Sequence, residues 1–405
     1  MRVARDAAAL KRDVRAAARA AGFDQVGFAP AAPPAHGDAY EAWLASGYHG
    51  EMAYMAREDA VRRRLDPREA LTGCRTLIVV SLLYGSDPVA PAAPEGSAAP
   101  EESTTPEESS MHEASARREA SAAREGSVGP PPVRSPVPDR RLPVVARYAR
   151  GRDYHDVFEE RLDALSAAIE ELSPGARTKR YVDYGPVLER DHAQRAGLGW
   201  VGKNTMLIHP GLGSYLMLGE LLTDLEIEPD LPFVPDRCGT CRRCIDACPT
   251  NAILDGRLLD ARLCISYLTI ELGGPIPEAL RPAIGNRVFG CDICQEVCPW
   301  NSDAPPPDEA PFAAQPGQPV PPGDMVAWAE ELAPLDAAEF RTRYRGTAFS
   351  RPGRDGLLRN LAVGLGNSGG PGARPILERL RADRSPLVRE HAQWALDVLP
   401  RRSRC

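Results

Sequence analysis

The stretch CGTCRRCIDACP at residues 238–249, answered by CDICQEVCP at 291–299, decides how this chain is read. The first run is Cys238-x2-Cys241-x2-Cys244-x3-Cys248-Pro249. The second begins with a lone Cys264 and resumes as Cys291-x2-Cys294-x3-Cys298-Pro299. A cubane iron–sulfur core needs four thiolates converging from different directions. Two-residue gaps let one tight loop supply three of them, and the fourth must come from elsewhere in the fold. In two-cluster ferredoxins the last cysteine of each run serves the other cluster. That rule assigns Cys238, Cys241, Cys244 and Cys298 to one cluster and Cys248, Cys264, Cys291 and Cys294 to a second, with nothing left over. A pair of four-cysteine zinc sites is the competing reading, because zinc sites also use C-x2-C. Three cysteines at two-residue gaps followed by x3-Cys-Pro favour iron–sulfur. Cys74 and Cys405 stand apart and read as ordinary thiols.

Around this region lies a chain of 405 residues, long enough for two or three domains. No apolar run approaches the ~20 residues that span a bilayer, and the N-terminal residues have no signal-peptide core, which points to the cytoplasm. Eight of ten cysteines gathered within 238–298, with no export signal, indicate metal ligands rather than disulfides. The net charge of −7 excludes a protein coated in basic residues, so any nucleic-acid contact has to be local. Residues 1–22 read as an amphipathic helix ending at Gly22. Strand-like segments are expected at 23–28, 76–84, 144–149, 180–184, 206–209 and 215–222, and helices at 154–172 and 187–196. The order suggests an α/β or α+β first domain over 1–235. Within it, residues 86–140 are Pro, Ala, Ser and Glu with no aromatic, and are expected to be a disordered insertion. A cysteine module at 236–301, a Pro-rich linker at 302–323 and a helical domain at 324–405 follow. Segments 357–365, 375–381 and 386–398 have the look of paired HEAT-type helices.

Several segments together resemble the epoxyqueuosine reductase family: HGEMAYMAR (49–57), ARYARGRDYHDV (146–157), VDYGPVLERDHAQRAGLGWVGKNT (182–205), the two cysteine runs, ARLCISYLTIE (261–271) and LLRNLAVGLGN (357–367). The resemblance implies a cobalamin-binding α/β domain, a ferredoxin-like module with two [4Fe–4S] clusters and a C-terminal HEAT-like domain. It implies removal of the epoxide oxygen from epoxyqueuosine at the wobble position of tRNA, by a monomer supplied by an external low-potential electron donor, with no membrane partner. Reducing an epoxide to an alkene consumes two electrons and two protons and releases water. The protein must protonate the departing oxygen, and an acid suited to that has a raised pKa, which burial supplies.

By resemblance, Asp183 in Val-Asp-Tyr-Gly-Pro is the proton donor; read alone, it is more often a cap of the helix that begins near Pro186. Tyr154, His155 and Arg190 are implied on the substrate side, with Arg190 two helical turns after Asp183. Arg57, Asp183, Lys203, Asn204, Ser266 and Thr269 are implied cobalamin contacts. Asp153-x-His155 starts the Asp-x-His-x-x-Gly signature of cobalt ligation through histidine, but residue 158 is Phe, so a histidine ligand is not expected. Within 340–360, Arg341, Arg343, Arg345, Arg351, Arg354 and Arg359 stand against one acid, Asp355, with Tyr344 and Phe349 interleaved. Arginines pair with phosphates and aromatics stack on splayed bases, which suits an anticodon stem-loop; a solvated basic face, or ion pairing with the acidic body, is the alternative. Two further functional classes fit the cysteines: a dehalogenase-like cobalamin reductase acting on a small molecule, and a ferredoxin-type electron carrier without chemistry of its own.

Overall fold

Side chains that alternate between two cores orient the long strands of the central sheet. The computed structural model describes residues 7–84, 142–306, 312–314, 318–319 and 321–399. The expected insertion at 86–140, parts of the 302–323 linker and Cys405 lie outside the described residues. Ten strands are found among them: β1 (Gln25–Pro30), β2 (Thr76–Leu83), β3 (Val144–Val145), β4 (Thr178–Tyr181), β5 (Trp200–Val201), β6 (Leu207–Ile208), β7 (Leu216–Thr223), β8 (Ile253–Leu254), β9 (Leu258–Leu259) and β10 (Arg287–Phe289). Four of them form the sheet β1-β2-β7-β4.

Ile78, Val80 and Leu82 of β2 and Leu221 of β7 face one core, shared with the helices Ala7–Ala20 and Tyr154–Leu172. Their neighbours Leu77, Val79, Leu216, Leu218 and Leu222 face the opposite core, against the helix Glu189–Arg195. This is the period-two geometry of a strand buried on both faces. The Tyr154–Leu172 helix buries Val157, Phe158, Leu162, Leu165 and Ile169. It reaches the sheet at Gly219, where a Cβ would stand 2.6 Å from the Phe158 ring.

All three strand pairings in the sheet are antiparallel. The α/β expectation is therefore corrected to α+β for this sheet. Apolar runs reveal a strand buried on both faces, but they carry no information about the direction of its partner. The strand expected at 144–149 stops at Val145, pairs with β10 in parallel, and gives way to a tight turn at Arg147–Ala149. The first helix ends at Ala20, and Gly22 adopts the left-handed conformation (φ 92°) that reverses the chain.

A third core runs from Val145 through Ile265 and Phe289 to Trp328, Leu361 and Ala395, so the cysteine region and the C-terminal helices share one interior. Its axis is the helix Gly353–Ser368, buried along most of its length and surrounded by Met325–Leu332, Ala373–Leu380 and Pro386–Val398. Arg359 on this helix is fully buried. Its guanidinium donates to the carbonyls of Leu268, Leu272 and Gly274. Asn360 donates to those of Thr269 and Val288. Carbonyls left free at these helix and strand ends would each cost about 1–3 kcal/mol, so the pair fastens the helix to the cysteine region.

The arginine-rich stretch is accordingly not one basic face. Arg359 and Arg354 are buried, Arg354 bridging to Asp383 at 2.6 Å, and the aromatics Tyr344 and Phe349 belong to the core. Arg341, Arg343 and Arg345 remain on the surface, with Arg343 paired to Glu331. Among the described residues no helix is long and apolar enough to cross a membrane.

Candidate active site

The cysteines of the motif fall into two electrostatic neighbourhoods. Trp200 stacks edge-on against Trp300 and donates its indole N–H to Sγ of Cys238 at 3.5 Å. Lys203 Nζ donates to the carbonyls of Gly239 and Cys241 at 2.6 and 2.9 Å, closing the loop that carries the first run. Cys298 faces that loop: burial, with Cys238, Cys244 and Cys241 adding to it, pushes its thiol up to about 11. In the other set, burial raises the Cys294 thiol, followed by Cys291 and Cys264, and Cys264 is raised by burial and by Cys248. Cys244 also acts on Cys294, so the two sets adjoin. The Cys248 sulfur accepts the Ala252 N–H at 3.3 Å. Such donors fit thiolate ligands, whose charge they stabilise. Among the described residues no group of three or more His, Cys, Asp or Glu side chains is drawn together as a single metal ion requires.

A cavity of about 370 Å³ opens beside the second set, lined by Cys248, Cys264, Cys291 and Cys294 on one side and by Tyr154, Asp183, Glu189, Arg190 and Arg351 on the other. The wall between them is largely apolar, with Tyr84, Tyr148, Leu216 and Leu218. β4 delivers Asp183 just beyond its end, in a left-handed turn (φ 52°). Asp153 caps the Tyr154–Leu172 helix by accepting the His155 N–H, and its Oδ1 lies 2.7 Å from Nδ1 of His155. The cap therefore fixes the ring that stacks on Tyr154, centroids 4.1 Å apart. Tyr154 donates its hydroxyl to Oδ2 of Asp183 at 2.6 Å. Arg351 arrives from the C-terminal region and donates to the same oxygen at 3.2 Å, with Nε2 of His155 also 3.2 Å from it and Glu271 at 3.8 Å.

Burial alone would raise the Asp183 carboxyl. Arg351 and the Tyr154 hydrogen bond outweigh it, and the net direction is below the ordinary carboxylate range. The side chain is 53% exposed, but its open side is the cavity, and protein surrounds the rest. The expectation of a raised Asp183 is thus corrected: its charge partner overrides its burial. The raised acid is its neighbour Glu189, which burial, Asp183 and Glu220 together push well above the usual value. Asp183 caps no helix either; the N-cap of Glu189–Arg195 is Leu188, without a side-chain bond, and Glu189 instead accepts the Asp183 N–H at 2.6 Å.

Similarity to known proteins follows the same outline. The model described as 4Fe-4S double cluster binding domain matches residues 237–301, and that described as Epoxyqueuosine reductase QueG, DUF1730 matches 127–184. The epoxyqueuosine reductase of Pseudomonas aeruginosa is 40% identical over 96% of this chain and 95% of its own length. The chain belongs to the epoxyqueuosine reductase family. It is an oxidoreductase, and it carries an iron–sulfur cluster binding domain. The Escherichia coli reductase is 37% identical over 95% of this chain and 88% of its own. A crystal structure of an epoxyqueuosine reductase with an epoxyqueuosine-modified tRNA-Tyr stem loop superposes with a TM-score of 0.77 at 28% identity, covering 97% of this chain and 91% of that one. A Bacillus subtilis member whose catalytic aspartate loop is swung out of the active site superposes at 0.75 and 28%, with the same coverage.

Measured against the expectations for this reductase, Asp183, Tyr154, Arg190, Asn204 and Ser266 line the cavity, and His155 joins them through Arg351. Arg190 donates to the Thr205 carbonyl. Three expected cofactor contacts stand elsewhere. Arg57 lies on the surface beside Asp59. The Lys203 ammonium is committed to the cysteine loop. Thr269 is buried, its hydroxyl donating to Ile265 and accepting from Gly290. Two cavity residues escaped the sequence reading of the site. Arg351 was grouped with surface arginines, and Glu189 had only its place in the 182–205 segment to signal it. No histidine is among the lining residues.

Proposed function

We propose that this protein reduces epoxyqueuosine to queuosine in tRNA, with the cavity between Asp183 and the second cysteine set as the place of reaction. One observation supports this most: a single apolar space is bounded by four thiols able to hold a redox cluster and, opposite them, by an ionised carboxylate clamped by a tyrosine and an arginine. The stem-loop complex of the related reductase supports tRNA as the substrate.

In this reading Cys238, Cys241, Cys244 and Cys298 hold one [4Fe–4S] cluster, and Cys248, Cys264, Cys291 and Cys294 hold the other. Cobalamin would be held beside Asp183 by Asn204, Ser266 and the backbone near Thr205 and Met206, with no histidine ligand proposed; the mostly apolar walls fit it. When bound, these groups supply single electrons and a low-valent cobalt of strong reducing power. The chain's own residues do the rest. Tyr154 and Arg351 fix the Asp183 carboxylate. Arg190 and Arg351 place positive charge where an oxygen gains negative charge. The apolar wall excludes water. Asp183 is taken as the counterpart of the catalytic aspartate in the Bacillus subtilis structure. The domain boundaries at 235, 301 and 323 are retained, the C-terminal helices are read as HEAT-like, and Arg341, Arg343 and Arg345 are assigned to the tRNA backbone. The protein acts as a cytoplasmic monomer fed by an external low-potential donor.

The test is an anaerobic assay on an epoxyqueuosine-containing stem-loop with the reconstituted protein and its Asp183→Asn variant. Conversion by the first and a loss of at least ~100-fold in the second, with iron content unchanged, is expected. Equal turnover rejects the site.

A further inference from the structure

Behind Asp183 stands a line of buried titratable groups that the reading above leaves unused. Glu189 opens the helix Glu189–Arg195 and lines the cavity. His192 follows three residues later, on the same helix face. That face packs on the side of β7 from which Glu220 projects. His192 and Glu220 are both fully buried, with Nδ1 of the imidazole 2.9 and 3.1 Å from the two carboxylate oxygens. The surroundings are aliphatic: Leu77, Val79, Ala193, Leu218 and Leu222. A hydrophobic pair would pack there at less cost, since burying two ionisable groups carries a penalty of several kcal/mol per ion.

The line continues outward. Nε2 of His192 is buried and has no hydrogen-bond partner among the described residues, and neither does Oδ1 of Asp191. Oδ2 of Asp191 lies 2.6 Å from Nδ1 of His36, whose side chain is 54% exposed. Contacts thus join Glu220 to His192 and Asp191 to His36, and Glu220 is an electrostatic neighbour of Glu189.

We propose that Glu189 is a second acid of the cavity, giving a proton to the departing oxygen, and that the buried Glu220–His192 pair behind it returns a proton to it. This rests on the proposed reduction. Overall the epoxide takes up two electrons, supplied by the reductase's donor, and two protons, and yields an alkene and one water. In the step assigned here the Glu189 O–H bond breaks and its proton goes to the oxygen. A proton from the Glu220–His192 pair then passes to the Glu189 carboxylate, and the pair regains one from solvent. No electrons move along the line. The electrostatics agree: Glu189 is held neutral by burial and by its acidic neighbours while Asp183 is held ionised, a pair whose environments drive their protons apart. Charged or titratable groups around Glu189 are Asp183, Arg190 and Glu220; those around the pair are Glu189, Asp191 and the Cys74 thiol, with Arg195 4.0 Å from Asp191.

The test uses the cluster-loaded protein and two readouts. Infrared difference spectroscopy at neutral pH, without substrate, should show the carbonyl stretch of a protonated carboxylic acid. It should vanish in Glu189→Gln, and its titration should move to lower pH in Glu220→Gln. Turnover on the epoxyqueuosine stem-loop should fall ~10²–10⁴-fold in Glu189→Gln. His192→Ala should lower kcat with KM for the stem-loop retained, shift the alkaline limb of the pH profile toward neutral, and recover with added imidazole. His192→Asn serves where the alanine variant loses its clusters. A carboxylic-acid band that persists in Glu189→Gln, or pH profiles that coincide with the unsubstituted protein in all these variants, overturns the proposal. Failure of the unsubstituted protein to convert the stem-loop, with the band present and assigned to Glu189, overturns the proposed reduction instead.

Discussion

Arg351→Gln separates the Asp183 carboxylate from its charge while keeping a donor in place. The guanidinium lies 3.2 Å from Oδ2 of Asp183, 3.2 Å from Nε2 of His155 and 3.8 Å from Glu271. A hydrogen bond to a charged group contributes about 1.5–3 kcal/mol. Asp183 is half open to the cavity, so screening puts the loss at the lower end, about 1.5 kcal/mol, or roughly tenfold in rate. The direction with pH follows from the sign of the shift. Burial raises this carboxyl and Arg351 lowers it below its ordinary value. The stabilisation is therefore present above the ordinary carboxylate pKa and is lost as pH falls through the lower, folded value. Without Arg351, Asp183 takes up its proton at higher pH, and the acid limb of the single-turnover profile moves toward neutral. The assay is conversion of the stem-loop across mildly acidic to neutral pH, with iron quantified in each preparation. An acid limb that stays in place in a variant with full iron content shows that Arg351 does not set the charge of Asp183.

Three further outcomes are expected. Cys298→Ala and Cys264→Ala should each remove one cluster, leaving about half the iron and different residual electron paramagnetic resonance signals; identical signals would contradict the crossed ligand sets. Replacing Arg341, Arg343 and Arg345 together by Gln should weaken stem-loop binding and flatten its salt dependence by about 2 in log–log slope, at ~0.7 per phosphate contact, with iron content intact; an unchanged slope removes this patch from the tRNA surface. His391 is fully buried, its Nε2 accepts the Ile276 N–H at 3.1 Å, and burial pushes its imidazole down to about 4. Between about pH 6.5 and pH 4 the unfolded chain binds a proton that the folded one refuses, so stability should fall across that window as pH drops, by up to about 3 kcal/mol. His391→Gln should flatten that part of the curve in urea titrations, and an unaltered curve would contradict the assignment.

The iron–sulfur region was legible because spacing is a one-dimensional property: two-residue gaps and a terminal Cys-Pro constrain a loop wherever it sits in the fold. The Tyr154–Leu172 helix was legible for the same reason, Val157, Leu162, Leu165 and Ile169 returning at intervals of three to five. Strand direction was not, since β2 and β7 read as the same apolar runs whether parallel or antiparallel. Arg351 and Asp183 are 168 positions apart, and a basic run gives no sign that one of its members turns inward. Arg359, Tyr344 and Phe349 looked like a nucleic-acid surface because charge and aromaticity ignore which side of a helix meets the core. The state of Asp183 was misjudged because burial could be anticipated while its partner could not. The Glu189–Glu220–His192 line joins a helix to a strand, and only the packing of one on the other brings it together.

The most direct measurement is mass spectrometry of an epoxyqueuosine-containing stem-loop after one anaerobic turnover with chemically reduced protein, cobalamin supplied or withheld. Loss of a single oxygen from the modified base only when both iron–sulfur clusters and cobalamin are present is the predicted result. Loss of that oxygen from protein stripped of its clusters, or full conversion without the corrinoid, would contradict the account.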